Sequence, residues 1–235
     1  MKKLIVNGTI IDGSGRAGYE ANVLIEDEKI VKIGDIQPEE GVEVIDAKGL
    51  IVAPGFIDTH SHSDLQILEN PEILPKVRQG VTTEVLGQDG ISMAPLPVKY
   101  ISPWRKNLAG LDGDSDNINW EFETTAGYLK MIEEAKPGLN ECYLVPHGNI
   151  RMEAMGLDNR LPDDEELKAM CEITRREMEA GAVGLSTGLI YMPCAYSESK
   201  EIIEMCKVVA EYDGIFVIHQ RSEADTILDS MEEVI

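Results

Sequence analysis

The stretch APGFIDTHSHSD, residues 53–64, decides how this chain is read. A short apolar strand, Phe56–Asp58, starts after Pro54-Gly55 and runs straight into His60 and His62. In extended chain, residues two apart face the same side, so both imidazoles can meet one ion. A His-x-His pair by itself is also what a surface produces by chance. A buried strand leading directly into the pair favours the metal.

Downstream, apolar strands alternate with helical patterns. The strands are Phe56–Asp58, Thr82–Leu86, Tyr143–Val145, Ala182–Ser186 and Ile215–Ile218. Between them lie a stretch with Leu65, Leu68, Ile73, Leu74 and Val77, then Thr125–Ala135, Asp163–Ala180 and Ser197–Tyr212. Asp163–Ala180 follows Pro162, carries acids in its first turn and stops at Gly181; Ser197 is the expected cap of the last helix. Such alternation means a parallel α/β sheet, either a barrel or doubly wound. Polar residues stand at successive strand ends: Asp58 to His62, Gln88 and Asp89, His147, Ser186 and His219. All four histidines lie at or beside such positions. In a parallel barrel those ends open on one mouth, where active sites form. His219 closes the fifth strand, and Asp89 lies between Gly87 and Gly90, where the backbone can bend to present a carboxylate. His60, His62, Asp89 and His219 are therefore the candidate metal ligands. Such a donor set suits Zn²⁺, with Mn²⁺, Fe²⁺ or Co²⁺ as alternatives. A turn residue tolerant of left-handed backbone is the other reading of Asp89.

Upstream, residues 1–53 hold short β-rich runs separated by Asn7-Gly8, Asp12-Gly13 and Gly34-Asp35. They are expected to form a small antiparallel module without helices, with residues 54–235 as the second part. The 235 residues carry a net charge of −22, which argues against nucleic acid or an anionic membrane as partner. The apolar run Leu4–Val6 ends at Asn7, so no signal peptide is expected. The four cysteines form no CxxC pair and read as reduced thiols, so a cytoplasmic protein is expected.

GFIDTHSHSD (Gly55–Asp64) resembles the first-strand signature of the amidohydrolase superfamily. QGVTTEVLGQDGIS (Gln79–Ser92), VPHGNIR (Val145–Arg151), GAVGLSTGLIYMP (Gly181–Pro193) and HQRSE (His219–Glu223) resemble its N-acyl-D-amino-acid deacylase, or D-aminoacylase, branch. The resemblance covers essentially the whole chain. It implies a (β/α)₈ TIM-type barrel beside a small β-sandwich built from both chain ends. It also implies hydrolysis of an N-acyl-D-amino acid, or a related small amide, by metal-bound hydroxide, and leaves room for a homo-oligomer. His60 and His62 match the first-strand histidines of the family, and His219 its strand-five zinc ligand. Deacylases of this branch commonly carry a metal-binding Cys where this chain has Asp89. A hard carboxylate for a soft thiolate changes metal preference. Cys194 is a candidate substitute thiol or an ordinary buried cysteine.

Tyr191 matches a position that touches the substrate in the family; it could equally pack the mouth as a strand-end aromatic. Arg221 lies one alternation beyond His219, where it either pairs with a substrate carboxylate or bridges to Glu223. His147 reads as a supporting residue rather than a ligand. In the segment from Ser92 to Glu123, residues Asp112, Asp114, Asp116 and Glu123 have EF-hand spacing, but an acidic solvated lid is the default. A (β/α)₈ barrel needs roughly 250 residues by itself. The expectation is therefore the first five units of an incomplete barrel, with the proton-shuttle aspartate beyond residue 235. Residues 1–235 alone are expected to show no amidase activity. A dihydroorotase-like cyclic amidase, a non-enzymatic barrel and an inactive fragment are the competing readings.

Overall fold

The computed structural model describes residues 1–235, which separate into two compact units, Met1–Gly55 and Phe56–Ile235. The first unit holds β1 (Lys2–Val6), β2 (Thr9–Ile10), β3 (Tyr19–Glu20), β4 (Asn22–Glu26), β5 (Lys29–Gly34), β6 (Glu43–Asp46) and β7 (Ile51–Val52). They form two sheets, ordered β5-β4-β1-β6 and β3-β2-β7. The pairing is mixed, which corrects the antiparallel expectation. β1 and β4 are antiparallel, but β1 and β6 are parallel, as are β2 and β7. A tight turn at Asp27, held in left-handed backbone, reverses the chain between β4 and β5. The longer path to β6 lets that strand return in the direction of β1.

The second unit holds β8 (Phe56–Asp58), α1 (Gln66–Glu69), α2 (Leu74–Val77), β9 (Val81–Leu86), α3 (Ile101–Leu108), α4 (Thr125–Ala135), β10 (Asn140–Pro146), α5 (His147–Met155), α6 (Asp164–Glu179), β11 (Gly184–Gly188), α7 (Ser199–Ala210), β12 (Ile215–His219) and α8 (Ile227–Val234). Its sheet runs β12-β11-β10-β9-β8, and every neighbouring pair is parallel. A doubly wound sheet reverses its strand order partway; this one does not. The sheet is a parallel half-barrel, with every strand's carboxyl end on one side.

Local chemistry explains most of the boundaries. α6 opens with a full capping box: Asp163 accepts from the Glu166 N–H, and the Glu166 side chain accepts from the Asp163 N–H. The expected serine cap on α7 is overturned. The helix starts at Ser199, and Ser197 instead donates its hydroxyl to the Cys194 carbonyl at 2.7 Å. β11 begins two residues later than its apolar pattern suggests, so Ser186 sits mid-strand. α5 follows β10 with no connecting loop and makes His147 a first-turn residue. The segment after β9 is not a loose lid. Trp104, Leu108, Trp120 and Phe122 pack with Leu86, Tyr128 and Tyr143 in one core cluster. A second cluster, including Val145, Met170, Leu185, Met205 and Val209, lies under α5–α7. No helix is long and apolar enough to cross a membrane.

At Gly184 the β11–β12 ladder is tightest: a Cβ there would collide with the Ile215 carbonyl on the neighbouring strand. Gly184→Ala should therefore cost about 1–3 kcal/mol, the usual penalty of overpacking. A urea midpoint equal to wild type would refute that account of the strand pairing.

Candidate metal centre

The period of two at residues 60–63 is visible in the side chains. Ser61 and Ser63 turn to one side and donate their hydroxyls to Glu84 Oε2 at 2.6 and 3.0 Å. His60 and His62 turn to the other, with ring centroids 5.2 Å apart. Both face Asp89, whose Oδ2 lies 3.2 Å from His62 Nε2 and 3.6 Å from His60 Nε2. From the end of β12, His219 Nδ1 reaches Asp89 Oδ1 at 3.7 Å. The structure thus brings all four sequence-derived ligand candidates together. One donor atom each from His60, His62 and Asp89 lies within 4.8 Å of the others. A hollow of ≈ 360 Å³ opens over His60, Asp89 and His219.

Asp89 is held there by its turn. Gly87, Asp89 and Gly90 all take positive φ, of 75°, 58° and 69°. The two readings of Asp89 are therefore compatible: it is a left-handed turn residue, and that conformation aims its carboxylate at the imidazoles. Ser186 clips the turn shut. Its hydroxyl donates to the Gly87 carbonyl and accepts from the Gly90 N–H at 3.0 Å. Gly188 leaves room for the Asp89 carbonyl, against which any side chain would collide. Burial works against the Asp89 carboxylate, but the His62 hydrogen bond and the nearby imidazoles outweigh it and hold its pKa below the ordinary range.

Two acids behind His62 were not picked out by the sequence as site residues. Asp64 is fully buried; its Oδ1 accepts from the Gly87 N–H at 2.9 Å and from the Ser92 hydroxyl. Asp112 is buried too, with Oδ1 3.4 Å from His62 Nδ1. Burial opposes a charged His62, yet Asp112 and Asp89 on its two sides push its pKa up to about 10. Burial and the nearby Asp112 push Asp64 up to about 7. A signal for Asp112 exists in the sequence. Trp104 and Leu108 are the buried residues of α3, and Asp112 is one helical step further along the same stripe. The EF-hand spacing is not a calcium loop: Asp112 points inward, while Asp114 and Asp116 both accept from Arg105, at 2.6 and 2.7 Å. The helix α3 precedes them.

The remaining candidates separate. The Tyr191 ring stands edge-on to His219, with centroids 5.1 Å apart, beside the hollow. Arg221 does not bridge to Glu223, which corrects that reading of it. It donates to Glu233, not Glu223, and to the carbonyls of Ala195 and Ser197. His147 is sealed from solvent, with Nε2 2.6 Å from Glu201 and Nδ1 2.7 Å from Thr187. Cys194 is equally buried and turns its sulfur toward the Gly90 carbonyl at 3.5 Å.

A parallel half-barrel that gathers three imidazoles and a carboxylate at its strand ends has the layout of a metal-dependent hydrolase. The amidohydrolase family model matches residues 43–228, and the chain belongs to that family. It is 37% identical over 230 residues to a D-aminoacylase of Alcaligenes xylosoxydans xylosoxydans, covering 98% of this chain and 46% of that protein. It is 38% identical over 233 residues to an N-acyl-D-aspartate deacylase of the same organism, covering 99% and 46%. Among solved structures, N-acyl-D-glutamate deacylase from Bordetella bronchiseptica, complexed with zinc and a phosphonate mimic of the tetrahedral intermediate, superposes with a TM-score of 0.87. That match has 36% identity and covers 99% of this chain and 48% of the other. The chain spans about half the length of the curated relatives it matches.

The buried His147 gives a pH test that does not involve the metal ligands. Burial lowers the pKa of His147, but Cys194 and Glu201 beside it overcome that and lift it from 6.5 to about 9. A raised folded value stabilises the fold in full below pH 6.5, and the gain is lost as pH rises through about 9. Wild type should therefore lose more unfolding free energy between pH 7 and pH 10 than His147→Gln does. Parallel urea curves for the two proteins at both pH values would contradict this.

Proposed function

We propose that this chain forms the metal-holding half of an N-acyl-D-amino-acid deacylase, which cleaves the amide to release a carboxylate and a D-amino acid. The observation that carries the reading is the meeting of His60, His62 and His219 on Asp89 at the carboxyl ends of β8, β9 and β12. The substrate class is proposed from relatives named as a D-aminoacylase and an N-acyl-D-aspartate deacylase. In this reading the five strands are the first part of a (β/α)₈ barrel, residues 54–235, and residues 1–53 belong to a β-sandwich. The proposed setting is the cytoplasm, in keeping with four free thiols.

The donor set fits a divalent ion. One donor atom each from His60, His62 and Asp89 lies within 4.8 Å of the others, and His219 Nδ1 lies 3.7 Å from Asp89 Oδ1. Zinc is the proposed occupant, with Mn²⁺, Fe²⁺ or Co²⁺ as alternatives because Asp89 is a hard ligand. A bound ion of this kind would supply a water acidified to a pKa of about 7 and would polarise the scissile carbonyl. The chain's own residues do the rest. Ser186 and the two glycines of the turn fix the Asp89 carboxylate. Tyr191, placed against His219, offers a phenol to the carbonyl oxygen as charge develops on it. Arg221 braces the segment after β12 rather than gripping a substrate carboxylate. No side chain of residues 1–235 is assigned as proton shuttle.

Three experiments test the reading. His60→Ala plus His62→Ala should remove the bound metal from the purified protein; unchanged zinc by elemental analysis would refute the ligand set. Asp89→Cys should shift metal content toward zinc over manganese when both are supplied. The protein as expressed in full should release acetate from N-acetyl-D-methionine or N-acetyl-D-glutamate but not from the L enantiomers. Equal turnover of both enantiomers would overturn the substrate class.

A further inference from the structure

The pair formed by His62 and Asp112 has no role in the reading above, yet it is one of the most buried polar contacts near the metal centre. The side chain of Asp112 is 0% exposed. Neither of its carboxylate oxygens has a hydrogen-bond partner, and neither has His62 Nδ1, 3.4 Å away. Buried polar groups in folded proteins are almost always paired. Here Asp112 Oδ1 and His62 Nδ1 face each other unpaired, so each supplies what the other lacks.

We propose that Asp112 is the positioning residue of His62: its carboxylate accepts the Nδ1–H proton and thereby commits Nε2 to the metal. A neutral imidazole can ligate through only one nitrogen while the other carries the proton. Histidine ligands are commonly oriented by a carboxylate on that second nitrogen. The geometry selects Asp112 for this task over its neighbours. Asp64 belongs to the same cluster; its Oδ1 is held by the Gly87 N–H and the Ser92 hydroxyl, and its Oδ2 is unpaired too, but Asp112 is the acid that lies 3.4 Å from His62 Nδ1. Asp114 and Asp116 are taken by Arg105, which also lies over the Trp120 ring at 5.0 Å and so fixes the loop around them. The Asp112 backbone is fixed as well. Its N–H donates to the Leu108 carbonyl at 2.9 Å and prolongs the ladder of α3 by one step. The segment between β9 and α4 thus reaches under the metal centre and anchors a first-strand histidine from behind.

The inference rests on His62 being a metal ligand, and the test separates the two claims. In the isosteric variant Asp112→Asn, zinc affinity measured by chelator competition should fall about 10- to 100-fold. Glu123→Gln, in the same segment but exposed, should bind zinc as wild type does. In zinc-free wild type, proton NMR should show a slowly exchanging downfield His62 Nδ1–H resonance, and Asp112→Asn should lose it. Zinc affinity within twofold of wild type together with a retained resonance overturns the proposal. So does an equal loss of affinity in Glu123→Gln, which would mark a general charge effect. If wild type binds no zinc, the metal reading fails and the resonance alone decides the pair. If Asp112→Asn does not fold, the wild-type signal decides: its absence, or its assignment to another histidine, overturns the proposal.

Discussion

The site depends on one left-handed turn. Asp89 sits at φ 58°, a conformation that costs an L-residue roughly 1–2 kcal/mol. That cost is met by contacts that exist only when the half-barrel is assembled. Ser186 on β11 closes the turn at both ends, Asp64 holds its first N–H, and Gly188 gives its carbonyl room. Were the turn to relax, the carboxylate would leave the point where three imidazoles meet. Ligand geometry and strand packing are in this sense one constraint.

Charge around the centre is arranged by burial. The protein is strongly acidic, yet the acids near His62 are not a solvated face. Asp64, Glu84, Asp89 and Asp112 are all buried, each with a donor or an imidazole in reach. The same loop that supplies Asp112 spends its outer acids on Arg105. A single segment therefore provides both an inward carboxylate and an outward ion-pair network, separated by two residues of sequence.

What could be read from the sequence followed physical periodicity. His60 and His62 were legible because a period of two puts them on one face, and Asp89 because glycines flank it. α6 was legible because its cap, first-turn acids and terminal glycine agree. The strand order, which settles barrel over doubly wound, is not written in any local pattern. Ser186 was seen as a strand-end residue, but its work as a clip depends on an N–H nearly a hundred residues away. Asp112 hid inside an acidic run whose composition suggests water. Only its place on the stripe of Trp104 and Leu108 marks it as inward. The partner of Arg221 was missed because Glu233 lies on a later helix.

Because each strand of the half-barrel pairs with the one before it, the sheet can grow in the order in which a ribosome delivers it. The metal centre cannot. Its first two imidazoles emerge early, its turn is clipped only when β11 arrives, and its third imidazole comes with the last residue of β12. A nascent chain would thus hold His60 and His62 as an unsupported pair until β11 and β12 follow. The full cluster of three imidazoles and a carboxylate would form only with the fifth strand, so its closure would report that the sheet has reached that length.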